Sequence, residues 1–99
     1  MITVLDISTG DLSIFADLKM ENSIIDFRNV SKITIEDNGQ EFILYAVTIY
    51  FGTIEIDRFK DKYLLAKKLS NITIKLNQSR INYEYTKEFV DWLRTAKNY

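Results

Sequence analysis

The chain has no cysteine, no histidine and no proline, and only three glycines in 99 residues. Without cysteine, neither a disulfide framework nor a thiolate metal site can form. Without histidine, the commonest general base and metal ligand is missing, together with every Ser-His and Cys-His nucleophile arrangement. The glycines at 10, 39 and 52 are isolated, so no phosphate-cradling loop can be built from them. No stretch approaches the roughly 18 apolar residues of a membrane span, and Met1 to Gly10 has neither a basic leader region nor an apolar one. These absences lead us to expect a cytoplasmic protein with no membrane association, no cofactor, no metal and no catalytic residues.

What is present suits one folded domain over residues 1–99. An apolar fraction of 46% with 13% aromatics can bury enough surface to offset the ordering entropy of the chain. Fourteen Ile, seven Asn and six Tyr are the types that A+T-rich codons favour, which hints at a low-G+C bacterium or its phage. The net charge of −1 conceals a polarity. Residues 1–57 hold three basic side chains against ten acidic ones, and residues 58–99 hold ten basic against four acidic. Such a layout steers partners unless an acidic sheet and basic helices neutralise each other within the molecule.

The front half reads as strands. Ile2 to Ile7 runs into the turn cluster Ser8-Thr9-Gly10-Asp11, and Leu12 to Leu18 alternates as a second strand, with a short helix from Asp11 to Met20 as the alternative. Ser23 to Phe27 is a brief apolar run, and Ser31 to Glu36 alternates through Ile33 and Ile35. Asp37-Asn38-Gly39 signals a hairpin, which we read as a three-residue loop ending in a left-handed glycine. That parity, with a second turn at Phe51-Gly52, puts Ile33, Ile35, Ile43, Tyr45, Val47, Ile49, Ile54 and Ile56 on one face. The opposite side of the third strand is apolar too, through Phe42, Leu44, Ala46 and Tyr50. Either the N-terminal strands cover it, which we expect, or it is a homodimer surface.

From Lys60 the period changes. Leu65, Leu69, Ile72 and Leu76 fall within about 60° of one another at 100° per residue, which predicts one helix from Lys60 to Asn77. A short helix followed by an edge strand is the alternative, because Ile72, Ile74 and Leu76 also alternate. A second helix is expected from Tyr85 to Lys97, with Thr86 as N-cap and Tyr85, Phe89, Trp92, Leu93 and Ala96 on one side. The expected fold is therefore α+β, an antiparallel meander of about five or six strands packed by one or two C-terminal amphipathic helices.

Side chains with chemistry are few. Glu55 and Asp57 are expected to share one exposed strand face, the usual place for solvated charges rather than an acid–base pair. Asp37-Asn38-Gly39 lacks the ligand spacing of a calcium loop. Lys60, Lys67, Lys68 and Lys75 occupy a sector of about 100° opposite the leucine stripe, with Arg80 just beyond. This face suits the solvated side of an amphipathic helix, or contact with an acidic protein surface, better than nucleic acid, since it lacks the arginine forks and interleaved aromatics of nucleic-acid recognition. Trp92 is a core residue or an interface anchor.

The positions Ile25-Asp26-Phe27, Val30, Ile33 to Glu36, Tyr45-Ala46-Val47, Ile54 to Phe59, Ala66, Leu69 and Ile72 resemble small uncharacterised proteins of low-G+C Gram-positive bacteria and their phages. In those, a three-stranded meander often ends in a phrase similar to Ile56-Asp57-Arg58-Phe59 and feeds directly into one amphipathic helix. The resemblance covers about half the chain, implies a continuous helix from Lys60, and brings no activity with it. The expectation is a non-catalytic protein-interaction protein, a regulator, inhibitor or immunity-type protein. Its partner-binding candidates are Lys60, Lys67, Lys68, Lys75, Arg80, Glu55, Asp57 and Trp92, and a nucleic-acid-associated role of the Lys60 to Arg80 face is the alternative.

Overall fold

The computed structural model describes residues 1–8, 30–49, 51–78 and 80–96. The turn at Ser8 to Asp11, the strand at Leu12 to Leu18, the run at Ser23 to Phe27 and the side chain of Tyr50 fall wholly or mainly outside them. Five strands, β1 (Ile2–Ser8), β2 (Val30–Asp37), β3 (Phe42–Thr48), β4 (Gly52–Phe59) and β5 (Asn82–Tyr85), form one sheet in the order β4-β3-β2-β1-β5, every neighbouring pair antiparallel. Helix α1 (Lys62–Gln78) separates β4 from β5, and α2 (Lys87–Ala96) closes the described chain. This is the expected α+β meander with its helices mainly C-terminal.

The β2–β3 hairpin is one residue longer than expected. Asp37 pairs with Phe42, so the loop is Asn38 to Glu41. Polar side chains hold it: Asn38 Oδ1 accepts from the Gln40 and Glu41 N–H groups at 3.0 and 2.9 Å, and Asp37 Oδ1 accepts from Gly39 N–H at 3.0 Å. Gly39 takes φ +86°, the left-handed conformation anticipated for it. The extra residue reverses the parity of β3. Ile33 now faces Ala46 and Ile35 faces Leu44, instead of Ile43, Tyr45 and Val47. Ile54 likewise pairs with Ala46, and Ile49 is exposed in the β3–β4 turn rather than part of the shared face.

Helices cover the Leu44 face. Leu44 and Ala46 are fully buried in a core with Leu5, Ile33, Ile35, Leu65, Leu69, Ile72, Leu76 and Phe89, and Phe42 packs against it. That burial removes the alternative of a homodimer surface through Phe42, Leu44, Ala46 and Tyr50: Leu44 and Ala46 belong to the core, Phe42 packs against it, and Tyr50 lies outside the described residues. The cover also differs from expectation, since α1 and α2 supply it.

Helix α1 is continuous. Asp61 caps it, its Oδ1 accepting from Tyr63 N–H at 2.8 Å and its carbonyl from Leu65 N–H at 3.2 Å. The buried residues include the expected Leu65, Leu69, Ile72 and Leu76 stripe. At the far end Ile81 N–H bonds to Leu76 O at 2.9 Å and Arg80 N–H to Asn77 O at 3.1 Å, with Arg80 at φ 57°. This is a Schellman ending with arginine in the position glycine usually takes.

Thr86 caps α2 as expected, its Oγ1 accepting from Phe89 N–H at 3.2 Å. It also ties the helix to β1: Thr86 N–H donates to Val4 O at 2.9 Å, and its hydroxyl donates to Thr3 O. Thr86→Val keeps the shape and the backbone bond to Val4, and loses the cap and the hydroxyl bond to Thr3. We expect it to cost about 1–2 kcal/mol, which thermal unfolding followed by circular dichroism reads as a melting point lower by about 4–8 °C per kcal/mol.

Candidate interaction surfaces

The sheet and helices form two layers with the core between them, and their outer faces carry opposite charge. The alternation that sends Leu5 and Ile7 into the core sends Asp6 to the reverse face, where it lies between Glu84 on β5 and Lys32 on β2. Glu36, Glu55 and Arg58 occupy the same face, beside Ile43 and Tyr45. On the helical side, Lys60 to Arg80 contains six basic residues and one acidic. Acidic and basic groups therefore point away from each other, so mutual neutralisation within the molecule is incomplete.

The reverse face is a hydrogen-bonded mesh over an apolar patch. Ile43 is buried there, flanked by Glu36 and Arg58 on its neighbouring strands, whose aliphatic stems shield it. Tyr45 donates its hydroxyl to Glu36 Oε2 at 2.9 Å. That bond, together with desolvation and nearby negative charge, holds the Tyr45 hydroxyl protonated above the usual tyrosine range. Arg58 forks between Glu41 and Glu55, with Nη1 at 2.8 Å from Glu41 Oε1 and Nη2 at 2.8 Å from Glu55 Oε1.

Glu55 and Asp57 do not share a face. A bulge at Ile56 pairs Glu55 with Tyr45 but Asp57 with Leu44, whose side chain lies on the other side of the sheet. Glu55 joins the arginine mesh, while Asp57 Oδ1 accepts from the Arg58 backbone N–H at 2.8 Å. An inserted residue of this kind leaves no mark on the hydrophobic pattern.

The expected lysine face holds only in part. Lys67 is exposed on α1, but Lys60 precedes the helix, which begins at Lys62, and Lys68 and Lys75 are half-buried along its flank rather than opposite the leucine stripe. Arg80 is exposed, and its backbone forms the helix ending described above. Trp92 proves to be an internal anchor. Its ring meets Phe42 edge-on at 5.8 Å and stacks with Phe89 at 5.9 Å, and Lys62 Nζ lies 4.0 Å from the ring centroid. Tyr85 stacks on Phe89 at 5.6 Å and meets Tyr83 at 6.2 Å, extending an aromatic row from β5 to β3.

Among the exposed large apolar side chains, three groups stand clear of the core. Ile49 and Phe51 stand at the β3–β4 turn, 59% and 73% exposed; Tyr63 and Leu64 lie in the first turn of α1, 72% and 49%; and Ile74 sits on its outer face, 52%. Ile74 was visible as the residue outside the Leu65/Leu69/Ile72/Leu76 stripe, and the turn pair became visible only once the hairpin register was known.

Between α1 and α2 a shallow cleft lined by Leu65, Ala66, Leu69, Phe89, Trp92 and Leu93 encloses about 20 Å³, room for one water rather than a metabolite. Among the described residues no three His, Cys, Asp or Glu side chains gather as a metal site, and no helix is long and apolar enough to cross a membrane. The chain matches no protein-family model, no curated protein and no solved structure.

Proposed function

We propose that this chain is a non-catalytic docking protein, a small bacterial or phage-encoded regulator, inhibitor or immunity-type protein of the cytoplasm, which sets the outer face of α1 against an acidic protein surface. The observation that carries the reading is Ile74, exposed on that face with Lys67 and Lys75 near it along the helix. An exposed aliphatic side chain among neutral polar neighbours, with one lysine two turns before it and another beside it, suits a protein interface, where the apolar centre is desolvated and the charged margin steers the partner. A phosphate backbone would attract the lysines but offer Ile74 nothing to pack against. The acidic reverse face reinforces the orientation, because it repels the same partner.

The test is capture from a lysate of the encoding organism with three immobilised baits: the native chain, Lys67→Glu/Ile74→Asp, and Glu84→Lys as a reverse-face control. A protein retained by the native chain and by the control, and depleted at least about tenfold on the α1 variant, supports the reading, since a central interface residue contributes about 1–2 kcal/mol or more. Equal retention on all three baits would sink it. Retention of nucleic acid alone, weakening steeply with salt, would move the face to the alternative role.

A further inference from the structure

We infer that the free edge of β4 is a two-fold interface joining two copies of this chain into one continuous ten-stranded sheet. β4 ends the sheet, and one side of its backbone has no strand neighbour among the described residues. The Arg58 N–H donates to Asp57 Oδ1, as expected of an outward edge group satisfied locally.

Three features make this edge complementary to itself, and they are independent of the α1 face. The first is register. A two-fold axis normal to the sheet keeps every residue on its own face, so residues opposed across the new seam must come from the same side. Glu55 and Arg58 do, because the bulge at Ile56 lies between them: they flank Tyr45 and Ile43 on the reverse face. Setting Glu55 against the partner's Arg58 also sets Ile54 against the partner's Phe59 on the helix side, and brings the two bulges opposite each other without a register fault.

The second is charge. Acidic and basic side chains along an edge usually discourage pairing. Here the reverse face of the edge carries one glutamate and one arginine, so antiparallel pairing opposes Glu55 to the partner's Arg58 and Arg58 to the partner's Glu55, with the Asp57 carboxylates on the other face. Each arginine, already 2.8 Å from its own Glu55 and Glu41, would then sit among three carboxylates.

The third is where the exposed apolar side chains lie. Ile49 and Phe51 extend beyond one end of β4, and Tyr63 and Leu64 beyond the other. Antiparallel pairing lays the turn of each copy along the start of α1 of its partner, covering both sets at once. The turn is built to hold its shape: Thr48 Oγ1 donates to Gly52 O at 2.7 Å and accepts from Phe51 N–H at 3.0 Å, with Gly52 at φ +67°.

Sedimentation velocity on the full chain from about 1 to about 200 µM tests this, since that range brackets dissociation constants from tight to weak. The native chain should be a dimer in the upper part of the range. Glu55→Lys and Arg58→Glu should each be folded monomers by circular dichroism, because each opposes like charges across the seam. Mixed together they should recover the dimer, since the lysine introduced in one variant then faces the glutamate introduced in the other, and the two native side chains, Arg58 and Glu55, face each other. Phe51→Ser alters only an exposed turn residue and should weaken the dimer about tenfold or more, which keeps the test decisive if a charge variant fails to fold. A native chain that is monomeric throughout, a dimer that survives Phe51→Ser undiminished, or folded charge variants that do not associate on mixing would each overturn the inference.

Discussion

Leu44→Lys should lower the melting point by at least about 20 °C or prevent folding altogether, as read by far-ultraviolet circular dichroism. Leu44 is fully buried between the sheet and the helices, with Ile35 beside it on β2 and the bulged segment of β4 on its other side. A lysine there must either carry an unpaired charge into an apolar core or give up its proton. We expect a cost of about 4–5 kcal/mol or more. A domain of this size has roughly 5–15 kcal/mol of stability in total, so the substitution removes between about a third of it and nearly all. Had the same residue been at a dimer interface, the lysine would have produced a folded monomer. A variant that melts close to the native chain would therefore place Leu44 at the surface and refute the helix packing.

Trp92→Ala should be the next most damaging, at about 3 kcal/mol and a melting point lower by on the order of 15 °C. The indole joins three elements, contacting Phe42 on β3, Phe89 on its own helix and Lys62 on α1. Removing it takes away two ring pairs and a cation–π contact in addition to buried area. Trp92→Phe keeps most of the packing and should cost about 1 kcal/mol. If the two variants melt together, the ring contacts contribute little and α2 is held mainly by Thr86 and Phe89.

Elements with strong local signals were legible in the residues. The Leu65, Leu69, Ile72 and Leu76 spacing identified α1, and Thr86 before Phe89 identified the start of α2, because capping and amphipathicity act over a single turn. The β2–β3 hairpin was legible as to place but not length. Three- and four-residue loops use the same Asp37, Asn38 and Gly39, and the choice was settled by where Asn38 found its donors and by which face of β3 the helices covered. That one residue decided whether Leu44 or Tyr45 entered the core. Strand β5 was passed over although Ile81, Tyr83 and Tyr85 alternate, since four residues between two helices carry little signal without the edge of β1 to pair with. The lysine sector was legible only in part, since Lys60 falls before the helix and the 100° spacing that sets Lys67 outward leaves Lys68 and Lys75 beside the apolar stripe. The β4 edge was not, because strand order and the Ile56 bulge are products of long-range pairing.

The position of β1 between β2 and β5 has a consequence for synthesis. The first strand of the chain pairs on one side with β5, and Thr3 N–H reaches Glu88 Oε2 at 3.4 Å across a separation of 85 residues. Contacts so distant in sequence form slowly, because most of the chain must be ordered before they close. On the ribosome β1 and its sheet can be completed only after β5 and the start of α2 have left the exit tunnel, so the edge of β1 stays open until then. During that interval the nascent chain presents the edge of β1, which β5 later covers, as well as that of β4, which has no strand neighbour among the described residues.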